Sequence, residues 1–138
     1  MGAWGVGTFE NDTACDYAAE VADGKDLSRI EATLDAVLAA GATHLEAPDA
    51  EEALAAADII ARLGGRFGQR DAYTATIDEW ITRIKLQPSK QLVEKARGSI
   101  ARIMKEPSEI VDLWRDSDEF EMWKSSVEDL TARLSSIA

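Results

Sequence analysis

Residues 45–65 read LEAPDAEEALAAADIIARLGG, and this stretch decides the fold. Pro48 suits the first position of a helix, where its missing N–H leaves no bond unmade. Asp49, Glu51 and Glu52 lie near the positive end of that helix's dipole. Leu54, Ala57, Ile60, Ala61 and Leu63 recur at helical period, and Gly64 with Gly65 ends the run.

The same period continues on both sides. Upstream, Asn11 or Asp12 caps a first helix whose inward positions are Ala14, Tyr17, Ala18 and Val21, ending at Gly24. Asp26 or Ser28 starts a second, and Ser28 with Glu31 fits a capping box. Its stripe is Leu27, Ile30, Leu34, Val37 and Leu38, closed by Gly41. Downstream, a loop RFGQRDA precedes a stripe of Tyr73, Ile77, Trp80, Ile81 and Ile84. Pro88 breaks that helix, and Ser89 caps the next, with Leu92, Val93, Ala96, Ile100, Ile103 and Met104 on one face. Pro107 breaks again before a short helix from Ser108 holding Ile110, Val111, Leu113 and Trp114. Asp116 or Ser117 starts the last one, with Phe120, Trp123, Val127, Leu130, Leu134 and Ile137 on its stripe. No strand-like alternation competes. The expectation is an all-α fold: residues 1–138 as a single domain of about seven antiparallel-packed helices.

Ahead of the helices stands MGAWGVGTFENDTACDY, residues 1–17. Gly2, Gly5 and Gly7 alternate with Trp4, Val6 and Phe9. The string is too apolar for a free tail and too rich in glycine for a regular element. Residues 1–11 are therefore expected to dock on the body, with Trp4 and Phe9 as plugs and glycines bending the backbone between them. On that expectation Trp4→Ala costs about 3 kcal/mol or more, whereas a near-neutral effect would mark Trp4 as an interface residue.

The run Gly-Ala-Trp-Gly-x-Gly-x-Phe-Glu-Asn-Asp-x-Ala-x-Asp resembles the opening of a bacterial family known as domain of unknown function 4259. The stretches DLSRIEATLDAVL, LEAPDAEEALAAADIIARL, DEWI and LQPSKQLVEKA extend the resemblance over nearly the whole chain. Gly64–Gly65 and the RFGQRDA loop depart from its pattern. The resemblance implies a helical fold and no chemistry.

Charge narrows the partner classes. The 138 residues carry a formal net charge of −11, which disfavours direct contact with nucleic acid or an anionic membrane. Residues 1–82 hold −11, residues 83–105 hold +6 and residues 106–138 hold −6. The basic middle is a solvated helix face with local ion pairs, glues helices together, or offers a mixed surface to another protein. No apolar run reaches a membrane-spanning length, and the start lacks the features of a secretory signal. Val6 stands where a myristoylation motif wants Ser or Thr. With a single cysteine, Cys15, the chain fits a reducing compartment, and the cytoplasm is expected.

Candidate chemistry is sparse. His44 is the only histidine, on a loop, without a nucleophile elbow or zinc-helix spacing around it. Cys15 sits near a helix start, where the dipole could activate a thiol, but the period places it beside small alanines as a structural one. Asp12 and Asp16, and the group Asp116, Asp118, Glu119 and Glu121, have the positions of caps and first turns and lack an EF-hand's loop. The GAWGVG glycines are not a phosphate loop, since no Gly-Lys-Ser/Thr follows and acids open the helix. No catalytic group, cofactor or metal is therefore assigned.

Two readings follow. The first is a small acidic interaction module that neutralises or regulates a basic protein partner, with self-association as a further option. Its contact residues would be drawn from Trp4, Gly5, Gly7, Phe9, Asn11, Asp12 and Asp16, with Trp114 or Trp123 as an exposed anchor. The second is a metal-independent enzyme using Asp12 or Asp16 in a pocket lined by Trp4, Phe9 and Asn11.

Overall fold

The first helix, α1 (Asp12–Ala22), begins where the Asn11 side-chain carbonyl accepts the Ala14 N–H at 2.8 Å. This computed structural model describes residues 3–137, so Met1, Gly2 and Ala138 lie outside the described residues. Six further helices follow: α2 (Ser28–Ala39), α3 (Ala47–Leu63), α4 (Ala75–Ile84), α5 (Lys90–Ile103), α6 (Glu109–Arg115) and α7 (Phe120–Ser135). The all-α expectation of seven helices holds. Among the described residues there is no strand; two isolated bridges pair Ala3 with Asn11 and Leu45 with Ser108.

α3 is the centre, and it touches each of the other six helices. Every residue from Ala53 to Leu63 is buried, including Asp58 and Arg62. The one-sided stripe expected from the period is thus too narrow. Five alanines between positions 53 and 61 keep the backbone thin enough for neighbours to close in from all sides, and a helix apolar all round is an interior one. Its first turn is capped by a distant side chain: Glu109 Oε1 accepts the Ala47 N–H at 2.6 Å.

Other local expectations divide. Ser89 caps α5, its hydroxyl accepting the Leu92 N–H at 3.1 Å. The Ser28–Glu31 box does not form; Asp26 instead takes both the Ser28 N–H and hydroxyl, at 3.0 and 2.7 Å. Leu38, Leu113 and Tyr73 were expected on buried stripes and are exposed. Tyr73 precedes α4 rather than belonging to it, so helical period does not govern where it points.

In the basic middle two side chains join elements, while Arg83, Lys85, Lys90, Arg97 and Lys105 are exposed. Lys95 on α5 reaches Glu31 and Asp35 on α2 at 2.7 and 2.9 Å. Arg102 donates to the carbonyls of Gly41, Thr43, Lys105 and Pro107, clamping two loops together. No helix is long and apolar enough to cross a membrane among the described residues.

Candidate functional site

Asp58 and Arg62 stand one turn apart on the buried half of α3. Arg62 Nε donates to Asp58 Oδ1 at 2.9 Å, Nη1 to Asp78 Oδ1 on α4 at 2.9 Å, and Nη2 to the Gln69 carbonyl at 2.7 Å. Arg133 on α7 grips both oxygens of Asp58 at 3.0 and 3.2 Å, while its Nε reaches Asp129 at 3.0 Å. The Thr74 hydroxyl completes Asp78 at 2.8 Å. Burial alone would raise the Asp58 pKa, but the hydrogen bond from Arg133 and the charge of Arg62 outweigh it and hold the carboxyl below its ordinary value. Two buried carboxylates against two guanidiniums leave no net charge inside, the condition under which buried ions are tolerated.

The N-terminal segment docks on this cluster through Phe9. Its ring lies 5.3 Å from the Arg62 guanidinium, with Phe67 at 5.8 Å, a cation–π arrangement at a desolvated site. Cys15 Sγ donates to the Phe9 carbonyl at 3.1 Å. Burial first, then the charges of Asp12, Asp16 and Asp71, push the thiol pKa up, which is the opposite of activation.

The glycines of the segment do not serve as left-handed bends, since neither Gly5 nor Gly7 has a positive φ. They lie against the flexible end of Glu10. A Cβ at Gly5 or Gly7 would come within 2.6 or 2.7 Å of its carboxylate. The Gly7 N–H donates to Glu10 Oε1 at 3.0 Å, and the Trp4 N–H to the Glu10 carbonyl at 2.9 Å. Residues 3–11 thus form a tight loop wrapped around one acidic side chain.

Next to the cluster opens a cavity of about 350 Å³. Its lining includes Phe9, Asp58, Arg62 and Arg133, and nearer the surface Glu10, Asp71, Asp129, Tyr73 and Met122. Tyr73 and Met122 are 52% and 61% exposed. Trp4 leans on Tyr73, ring centroids 5.1 Å apart, and is itself 45% exposed. Trp4 is therefore no buried plug: Phe9 is the aromatic that enters the crevice, and Trp4 lies against Tyr73 on the outside of the loop.

The remaining sequence candidates fall elsewhere. Trp114 and Trp123 stack on one another in the core and offer no exposed anchor. Asn11 is the buried cap of α1, while Asp12 and Asp16 are exposed on its first turns and do not line the cavity. The carboxyl near this segment whose pKa is pushed up, by burial, is Glu51. The space it shares with Asn11, Trp114 and Trp123 is only about 20 Å³, room for a single water. Asp12 and Asp16, the carboxylates that the enzyme reading names, thus share no pocket with Trp4, Phe9 and Asn11. His44 is exposed. No three His, Cys, Asp or Glu side chains converge as metal ligands among the described residues.

Sequence reasoning missed Asp58, Arg62, Asp78 and Arg133. The available signal was an Asp and an Arg at i, i+4 in a stretch, residues 53–63, otherwise apolar all round, which forces burial of both.

Fold and site define an all-helical protein whose N-terminal loop closes over a buried Asp–Arg cluster beside an open cavity. The chain belongs to the family described as domain of unknown function (DUF4259), whose model matches residues 2–126. The match contains Glu10, Asp58, Arg62 and Asp78 and stops within α7 ahead of Asp129 and Arg133. No curated protein and no solved structure gives a significant match.

Proposed function

We propose that the chain is a protein-binding module that takes a positively charged segment of a partner protein. The observation that carries this reading is the exposed Trp4–Tyr73 pair beside a cavity walled by Glu10 and Asp71. Two large aromatic side chains left half in solvent against one another, with exposed Met122 at the same cavity mouth, are what contact anchors look like before a partner arrives. The net charge of −11 favours a basic partner and steers its approach. A lone, half-buried thiol suits the reducing cytoplasm, where we place the module.

The test is a photo-crosslinking amino acid placed at Tyr73 and, as a control, at the exposed Leu113, in cells that make the protein. The expected result is a discrete adduct from the Tyr73 position alone, lost when the lysate is brought to high salt before irradiation. Identical adducts from both positions, or none from Tyr73, would overturn the reading.

A further inference from the structure

We infer that the cavity seats the guanidinium of an arginine side chain supplied by the partner, with Glu10 as its first acceptor; this rests on the protein-binding reading above. The loop's construction points first to Glu10. The Gly7 N–H donates to its Oε1 in the cavity wall, the Trp4 N–H ties down its backbone carbonyl, and Gly5 and Gly7 leave its carboxylate room. A carboxylate already held at one oxygen loses less freedom in a later contact. Yet no Lys or Arg pairs with it among the described residues, and the same is true of Asp71. Asp71 is instead oriented by the Gln69 amide and the N–H groups of Tyr73 and Thr74.

The charge of the lining gives the sign of the ligand. Glu10, Asp58, Asp71 and Asp129 face two cations, Arg62 and Arg133. Both arginines are committed to Asp58, Asp78 and Asp129 and to the carbonyls of Gln69 and Arg66. The two carboxylates in excess are the two without a cationic partner. A cation satisfies them and an anion is repelled.

Shape and rim give its kind. At about 350 Å³ the cavity lies at the small end of the roughly 300–1,000 Å³ range of ligand sites, and so suits one side chain rather than a folded element. Tyr73 and Met122 at its mouth supply an aromatic face and a polarisable thioether. A guanidinium uses both features, stacking on the ring while donating in a planar fork to carboxylates. An ammonium is a strongly hydrated point charge that gains less from either.

The probes are two blocked pentapeptides, acetyl-Gly-Gly-Arg-Gly-Gly-amide and its lysine counterpart, titrated into the full chain at low salt and followed by NMR. The arginine peptide is expected to shift the Tyr73, Met122 and Ser125 signals saturably, and to bind more tightly than the lysine peptide. Glu10→Gln retains an oxygen for the Gly7 N–H, so the loop and the helical spectrum persist. It should weaken the arginine peptide about tenfold, the loss of one charge-assisted hydrogen bond. Met122→Arg, on an exposed position, should place the chain's own guanidinium at the mouth and abolish the shifts of Tyr73 and Ser125, which both line the cavity. Arginine and lysine peptides that bind alike and ignore Glu10→Gln overturn the inference, as does an arginine peptide that shifts none of these signals. Either failure can coincide with a specific Tyr73 crosslink, which would leave the protein-binding reading standing.

Discussion

Trp114 and Trp123 lie face to face, centroids 5.8 Å apart and planes within 9°, and are 7% and 3% exposed. Trp4 and Tyr73 meet at a similar distance but tilted by 46°, with about half of each side chain in water. The first pair is fixed from both sides by α6 and α7. The second is fixed from one side only, by a loop of residues 3–11 and by the turn ahead of α4. Aromatic area left uncovered does not stabilise the fold. The difference separates residues the chain needs in order to fold from residues whose burial the fold does not require.

The comparison can be broken most forcefully at the buried pair. Trp123→Ala should cost about 3–5 kcal/mol, read as a lower denaturation midpoint with an unchanged slope. Arg62→Met should come next, at about 3 kcal/mol, since Asp58 and Asp78 would be left buried with reduced compensation. It should also loosen the N-terminal loop, which rests on Arg62 through Phe9. Hydrogen exchange over residues 4–10 would report that loosening separately from global stability.

Acid titration gives a smaller effect of known sign. The folded-state pKa of Asp58 is held below its unfolded value, chiefly by Arg133 and Arg62 acting against burial. Its contribution to stability is therefore complete above the ordinary carboxylate range of about 4 and is lost as pH falls through the folded value. In Asp58→Asn this part of the acid limb should disappear, so that variant and parent converge in strong acid. A constant gap between them at every pH would count against the pairing. The smallest effect belongs to the exposed pair: Trp4→Ala should change stability by less than about 1 kcal/mol while removing the Tyr73 crosslink. A loss of 3 kcal/mol would return Trp4 to the role of a plug.

Helix positions were legible because caps and periods are local. Asn11 and Ser89 act as read, and the proline breaks fall between helices. What period cannot supply is the number of neighbours. The stripe on α3 was read as one face because only its strongest apolar positions stand out, while its alanines are silent until other helices approach them. Tyr73 fitted a stripe by arithmetic, yet the chain has not entered the helix there. Asp58 and Arg133 are 75 residues apart, and no local pattern links them. The opening string was legible as a docked segment through Phe9. Its glycines were misread because a close approach to Glu10 leaves no mark in the sequence distinct from a turn.

The position of α3 has one more consequence. It is third in chain order and borders every other helix, so no cut in the sequence leaves either fragment with a finished interior. Removing α1–α2 or α6–α7 strips one side of α3 and exposes its alanines and isoleucines to water. The polypeptide should therefore melt in one cooperative step, with no half of it persisting as an autonomous intermediate. Ligand binding at the cavity, which joins the N-terminal loop to α3 and α7, would then be felt as a shift of that single transition rather than as the tightening of a local flap.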